Sequence, residues 1–215
     1  LSPRDDPRHG HFRDDELDVL VAEANAAGIP VMAHAQGAPG IKSAVRAGIR
    51  SVEHGIFLDD EAIEMMLERG TWLVPTLVAP RGVLEAAAAG AAIPPASLRK
   101  AIEVVDIHME AVRRAIAAGV KVAMGTDSGV APHGNNLREL ALMVEAGMTP
   151  LQAMLATTIS AAELMRIEAD LGSIAVGKKA DLVIVDGDPF AYANLADRIT
   201  AVYQDGRQVA GAGAA

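Results

Sequence analysis

One arrangement recurs in the pattern of hydrophobic and polar positions: an amphipathic helical stretch ends on a glycine, and a short apolar run follows at once. Glycine suits the left-handed position just beyond a helix because it has no Cβ, and short β-branched apolar runs are typical of buried parallel strands. The pattern therefore predicts four alternating units. They are helix 16–28 with strand 29–33, helix 41–48 with strand 49–52, helix 59–70 with strand 71–77, and helix 98–119 with strand 120–124.

Helices that alternate with fully apolar strands indicate an α/β fold, either a doubly wound sheet or a (β/α)8 TIM barrel, of which four units would make half. After Gly147 the pattern changes. Thr149 and Pro150 indicate an N-cap followed by proline at the first helical position, and two helical stretches, 151–156 and 160–166, follow without a strand between them.

The pattern becomes strand-like in the last part of the chain, where apolar stretches alternate with glycine-containing turns. Such spacing is typical of a small antiparallel β module. We therefore place a domain boundary near residue 167 and expect one domain at 1–166 and another at 167–215. The predicted strands of the second domain are 171–176, 181–186, 199–204 and 207–210.

Composition narrows the class of protein. Hydrophobic residues make up 51% of the chain and charged residues 22%, which is typical of a globular protein with a core. The formal net charge of −9 repels phosphate backbones and anionic lipids, so we expect neither nucleic acid nor a membrane surface as a partner. No apolar run approaches the roughly 18 residues that a membrane span needs. Because the chain has no cysteine, a metal would have to bind nitrogen and oxygen ligands.

The chain begins at Leu1 without a methionine, a basic segment or an apolar segment that would form a signal peptide. We expect a cytoplasmic protein. The native N-terminus is expected upstream of Leu1, so a signal peptide there stays an open alternative.

Three of the four predicted strands end close to a glycine on a side chain that can bind a metal: His34, His54 and Asp127. In a barrel the carboxyl ends of the strands meet at one mouth, so we expect these side chains to converge. A single histidine at a strand end is commonly a hydrogen-bonded structural residue. Two histidines and an aspartate at equivalent places in three repeats favour a site for zinc or a similar divalent ion.

These residues lie in motifs that resemble the C-terminal half of a metal-dependent hydrolase of the amidohydrolase superfamily, closest to its prolidase-like and imidazolonepropionase-like branch. The resemblance extends over nearly the whole chain. The motifs that carry it are His34-Ala35-Gln36-Gly37, Ser51-Val52-Glu53-His54-Gly55, Val74-Pro75-Thr76-Leu77, Gly125-Thr126-Asp127-Ser128-Gly129, and the stretch from Leu171-Gly172-Ser173-Ile174 to Gly177-Lys178-Lys179-Ala180-Asp181-Leu182-Val183.

The resemblance implies the second half of a distorted TIM barrel, strands 5–8, followed by part of a composite β-sandwich domain. It places His34 at the end of barrel strand 5, His54 at strand 6 and Asp127 at strand 8. The family's remaining ligands, a His-x-His pair from strand 1 and often a carboxylated lysine from strand 4, would lie upstream of Leu1. The N-terminal half of the barrel would thus be a partner of this chain, and family members are often homo-oligomers.

The resemblance further implies hydrolysis of a C–N bond by water that one or two divalent ions activate. Asp127 would serve as metal ligand and as proton shuttle, which takes the proton of the nucleophile and returns it to the leaving amine. His133, on the loop after strand 8, is expected to contact the substrate, and a plain surface histidine is the alternative.

The other histidines are weaker candidates for a functional site. His9 and His11 lie in a polar stretch that we interpret as a solvated loop, and His108 is predicted on the exterior of its helix. The expected substrate is a dipeptide or an N-acyl amino acid. Two alternatives stay open: a cyclic amide hydrolase or deaminase, and a non-catalytic half-barrel that needs an N-terminal portion.

Overall fold

Helices and strands alternate in the first part of the chain, and an antiparallel sheet follows in the last part. The computed structural model describes residues 6–130 and 132–212. Its helices are α1 (Asp14–Ala26), α2 (Ala38–Ala47), α3 (Asp60–Arg69), α4 (Val78–Ala88), α5 (Pro95–Ala118), α6 (Arg138–Glu145), α7 (Pro150–Thr157) and α8 (Ile159–Met165). Its strands are β1 (Met32–Ala35), β2 (Ser51–His54), β3 (Trp72–Val74), β4 (Leu182–Val185), β5 (Ile199–Gln204) and β6 (Arg207–Gly211).

The first three strands form a parallel sheet in the order β1-β2-β3. The fourth predicted strand, 120–124, is reduced to a single parallel bridge between Leu73 and Val122. It leaves the sheet early because the amide of Met124 donates to the carbonyl of Ala156 at 2.9 Å, outside the sheet. The α/β class is confirmed, with three strands and one bridge where four strands were predicted.

Helix ends follow the predicted glycine rule. Gly48 and Gly119 cap α2 and α5 with φ values of 94° and 91°, in the left-handed region that a side chain disfavours. At the start of α7, Thr149 accepts a hydrogen bond from the Gln152 amide, and the Gln152 side chain accepts one from the Thr149 amide. This reciprocal pair confirms the predicted N-cap.

The parallel sheet uses its two faces differently, because successive side chains along a strand point to opposite sides. Val52 and Leu73 are fully buried in one cluster with apolar residues of α2, α3 and α5. On the other face, Trp72 and Val74 pack with residues of α8, whereas Met32 remains 65% exposed. The second face is therefore only partly covered by this chain.

The last part of the chain folds into the antiparallel sheet β4-β5-β6. The predicted strand at 171–176 is wrong, since this stretch forms turns and bends in which Ile174 is 90% exposed. The ammonium of Lys178 donates to the Glu168 and Leu171 carbonyls and to the Ser173 hydroxyl, which curls the stretch instead of extending it. The domain boundary near residue 167 stays a prediction.

Two helices border the carboxyl ends of the parallel strands. These helices, α4 and α6, lie outside the four predicted helix–strand units. None of the helices in 6–130 and 132–212 is long and apolar enough to cross a membrane.

Candidate active site

His34 and His54 lie side by side at the carboxyl end of the parallel sheet. Their ring centroids are 4.5 Å apart, and the rings meet at 72°. His54 ends β2, and His34 lies one residue before the end of β1. The structure therefore brings together two of the predicted metal ligands, as the alignment of parallel strand ends leads one to expect.

The backbone of His54 is unusual, with φ at 74° in the left-handed region that non-glycine residues rarely adopt. Two buried side chains contact it. Nδ1 of its ring forms a hydrogen bond of 2.6 Å with Oγ1 of Thr76, and its carbonyl oxygen accepts one of 2.8 Å from Nε2 of His108. The ring and the backbone carbonyl of His54 are thus both held by hydrogen bonds.

The His54 imidazole is neutral near pH 7. Burial, and to a smaller degree the imidazole of His34, lowers its pKa to about 4, while the charge of Asp127 acts in the opposite direction. A neutral ring whose Nδ1–H group donates a hydrogen bond to Thr76 keeps a lone pair on Nε2. This is the form of histidine that binds a metal ion.

The side chain of His34 is exposed. The amide of Gln36 donates to its Nε2 across a long 3.4 Å contact, so a cation at this nitrogen requires the Gln36 amide to turn away. A cavity of about 350 Å³ opens beside His34 and is lined in part by His9, His11 and Met32. Its size lies within the range of small-molecule sites.

Glu139 is a buried carboxyl group next to the turn that carries Thr76. Its two oxygens accept the backbone amides of Leu77 and Val78 at 2.8 Å each, directly after Thr76. Burial raises the pKa of Glu139 to about 7, against the effect of the two amides, which lower it.

Asp127 and His133 lie on the stretch between Val122 and α6. Asp127 is exposed and has a left-handed φ of 50°. The preceding Gly125 packs so tightly on Val74 that a Cβ would stand 2.4 Å from its Cγ1. His133 occupies an exposed turn. The roles of both residues stay predictions.

Comparison with known proteins decides the family. The model of the amidohydrolase family matches residues 4–209 of the chain. The chain belongs to the amidohydrolase family. The predicted resemblance is therefore confirmed, and a C-terminal portion of such an enzyme fits the match.

Several amidohydrolases resemble the chain closely. Ochratoxinase from Aspergillus niger is 37% identical over 193 residues, which cover 88% of this chain and 39% of ochratoxinase. Imidazolonepropionase from Geobacillus sp. (strain WCH70) is 30% identical over 185 residues, or 82% of this chain and 38% of that enzyme. The crystal structure of a Xaa-Pro dipeptidase with bound methionine superposes with a TM-score of 0.91 at 39% identity, covering 98% of this chain and 52% of that one. The chain spans about half the length, or less, of these relatives.

The donor set of this amidohydrolase fits a divalent metal ion, although it is incomplete. Two imidazoles, of which that of His54 is neutral, and a carboxylate whose charge acts on His54 are ligands that zinc accepts. Within the described ranges, however, no three His, Asp or Glu side chains lie close enough together to hold an ion. The pair His34 and His54 therefore forms part of a candidate metal site.

The amidohydrolase site includes residues that sequence reasoning missed. The prediction of an exterior His108 is wrong, because its side chain is 1% exposed. Its helical spacing held the signal: Val104 and Val112, four residues to either side, are both buried. Glu139 carries a similar signal, since Leu142 and Met143, three and four residues further on, are both buried. A charged or titratable side chain on an apolar stripe marks a buried polar contact.

Proposed function

We propose that this chain forms the second half of the catalytic barrel of a metal-dependent amidohydrolase that cleaves the C–N bond of a dipeptide or an N-acyl amino acid. The observation that carries the proposal is the edge-on pair of His34 and His54 at the carboxyl ends of adjacent parallel strands. Family membership supports hydrolysis of C–N bonds in general.

In this proposal β1, β2, β3 and the stretch 120–124 are barrel strands 5–8. The partly uncovered sheet face, where Met32 is exposed, then faces the N-terminal half of the barrel. Residues 1–166 belong to the barrel, and 167–215 to a β-sandwich domain that other strands complete. A homo-oligomer accords with the family.

His34, His54 and Asp127 would hold the ion, zinc being the first candidate. When bound, the ion would polarise the scissile carbonyl and acidify a water molecule. The Asp127 carboxylate would accept the proton of that water on one oxygen and deliver it to the nitrogen of the leaving amine. Throughout the reaction the Nδ1–H group of His54 would donate its hydrogen bond to the Thr76 hydroxyl, which leaves Nε2 directed at the ion. His133 would contact the substrate from its loop.

The substrate class follows from the relatives. A Xaa-Pro dipeptidase is the basis for a dipeptide or N-acyl amino acid. Similarity to imidazolonepropionase favours a second candidate, hydrolysis or deamination of a cyclic amide. The incomplete ligand set favours a third, a half-barrel that is inactive without its N-terminal portion. Barrel loops can change the substrate without changing the metal site, so the family alone does not choose.

The test is a substrate panel run on a longer polypeptide that supplies the N-terminal half, and on residues 1–215 alone, both with added Zn²⁺. We expect the longer protein to hydrolyse Xaa-Pro dipeptides or N-acyl amino acids, to lose activity on chelation, and to leave cyclic amides intact. Preference for cyclic amides would select the second candidate. Hydrolysis by residues 1–215 unaided would contradict the need for an N-terminal half.

A further inference from the structure

We propose that His108 and Glu139 are positioning residues that fix the orientation of the His54 imidazole, His108 through the His54 carbonyl and Glu139 through Thr76. Both side chains are buried, and the proposed hydrolysis uses neither. The inference deepens the proposed function, since it assumes that His54 presents its Nε2 to an ion. It rests on contacts among four parts of the fold that are distant in sequence: the end of β2, the turn after β3, α5 and α6.

The first anchor is the hydrogen bond from His108. Because a carbonyl oxygen only accepts, Nε2 of His108 must carry the proton that it donates to the His54 carbonyl at 2.8 Å. Nδ1 of His108 is then a buried acceptor, and it has no hydrogen-bond partner among the described residues. The hydrogen bond that the structure gives to this buried ring is therefore the one that its Nε2 donates to the His54 carbonyl.

The contact from His108 falls on a strained backbone. His54 has a left-handed φ of 74°, and such a conformation persists only where the surrounding structure holds it. The bond from α5 fixes the plane of the peptide that follows His54. It thereby fixes the direction in which the Cα–Cβ bond of His54 leaves the strand.

The second anchor acts on the ring itself. Thr76 Oγ1 lies 2.6 Å from Nδ1 of His54, so the hydroxyl can accept the Nδ1 proton and select the tautomer with a free Nε2. Thr76 also has a left-handed φ, 54°, which is rare for a β-branched residue. Its hydroxyl is therefore in place only as long as its backbone is held.

Glu139 holds that backbone. The two amides that follow Thr76, those of Leu77 and Val78, both donate to the Glu139 carboxyl group at 2.8 Å. This two-point contact prevents the turn at Thr76 from relaxing to an ordinary conformation. The path runs from Glu139 on α6, through the turn, to the Thr76 hydroxyl and the His54 ring.

An apolar residue at position 108 or 139 would avoid the free-energy cost of burying a polar group. Two such groups instead act on one histidine: His108 on α5 through the His54 carbonyl, and Glu139 on α6 through the turn that carries Thr76. Proteins orient a histidine ligand through the partner of its second ring nitrogen, here Thr76, and loss of such a partner typically weakens metal binding by about 10- to 100-fold.

The test compares variants that remove a contact with variants that keep it. Thr76→Val removes the hydroxyl and Thr76→Ser keeps it, while His108→Leu removes the donor and His108→Gln retains an N–H group at a similar reach. Glu139→Gln leaves one of the two amides without an acceptor. Thr71→Val is the matched control, since Thr71 and Thr76 are each 3% exposed and flank β3, but the Thr71 hydroxyl donates to the Ile49 carbonyl.

The first readout is independent of metal and of activity. Long-range ¹H–¹⁵N spectra of the metal-free full-length protein report which nitrogen of each histidine carries the proton. We expect His54 to be the Nδ1–H tautomer in the parent, the Ser variant and the Thr71→Val control. In Thr76→Val and Glu139→Gln we expect a mixture of tautomers.

The second readout is the affinity for Zn²⁺ alone, measured by competition with a chromophoric chelator. Thr76→Val and His108→Leu should bind about 10- to 100-fold more weakly, and Thr76→Ser and His108→Gln should recover most of the loss. Far-UV circular dichroism confirms that each variant is folded, and Thr76→Val, the mildest change, keeps the test decisive if His108→Leu does not fold.

The two proposals fail in different ways. Unchanged tautomer and unchanged Zn²⁺ affinity in folded Thr76→Val and Glu139→Gln would overturn the positioning role, whatever the activity. Absence of hydrolysis of every substrate, with the tautomer still dependent on Thr76 and Glu139, would overturn the proposed function and leave the positioning role supported.

Discussion

Gly125 lies so close to Val74 that a Cβ on residue 125 would stand 2.4 Å from Val74 Cγ1. This contact joins the last residue of β3 to the stretch that carries Asp127, two residues further on. A glycine is needed here for close approach, not for a left-handed conformation. The position of Asp127 thus depends on the absence of a side chain at residue 125.

Gly125→Ala should therefore destabilise the protein and displace Asp127. We expect a loss of about 1–3 kcal/mol, the usual effect of overpacking a core, measured by urea unfolding. Gly40→Ala is the control, because its Cβ would meet nothing closer than 3.4 Å. Adding Val74→Ala should recover part of the loss by removing Cγ1, and strictly additive effects of the two changes would contradict the proposed clash.

The raised pKa of Glu139 makes stability depend on pH. Its folded pKa is about 7, against an ordinary value of 4.5, so the folded state holds the proton more tightly than the unfolded state does. The stabilisation that this group contributes is complete below about pH 4.5 and is lost as the pH rises through about 7. The unfolding free energy of the parent, relative to Glu139→Gln, should fall between about pH 5 and pH 8.

Urea unfolding of both proteins at several pH values checks this expectation. At low pH the Gln variant should be less stable than the parent by about 1–3 kcal/mol, because its side-chain NH₂ cannot accept the hydrogen bond that one backbone N–H donates, and this difference should shrink as the pH rises. A difference that stays constant across this range would show that folding does not shift the pKa of the carboxyl group, and one that grows would show that folding lowers it.

The sequence predicted the parts of this molecule that depend on neighbours along the chain. Gly48 and Gly119 end helices where the pattern put them, and the strand ends bring His34 and His54 together. Errors arose where distant contacts decide. The apolar residues at 171–176 have the pattern of a strand, but the hydrogen bonds of Lys178 hold the segment in turns. The hydrogen bond of His108 is with the carbonyl of His54, 54 residues away, and no pattern near His108 in the sequence predicts it.

The partly uncovered sheet face gives a test of the half-barrel. Met32 on this face and Val19 on α1 are 65% and 64% exposed in the chain alone. Met32→Lys should leave the stability of residues 1–215 within about 0.5 kcal/mol of the parent, as for other exposed positions. In a longer protein that supplies the N-terminal half, the same change would bury an unpaired charge and remove about 3 kcal/mol or more.

Thermal and urea unfolding of the two lengths check this difference, with Val19→Lys as the control that should be mild in both. If Met32→Lys were equally harmless in the longer protein, the face that carries Met32 would not be covered by an N-terminal half.

Asp127 carries the last prediction, because the proposed proton transfer requires an oxygen that can gain and lose a proton. Asp127→Asn keeps the size and a ligand oxygen but removes this ability, so kcat should fall by about 10²- to 10⁴-fold. Zinc content, measured by mass spectrometry on the same sample, separates loss of the proton shuttle from loss of the ion. Asp106→Asn, at an exposed position on α5, should leave kcat unchanged. Full activity of Asp127→Asn with its metal retained would remove Asp127 as the base.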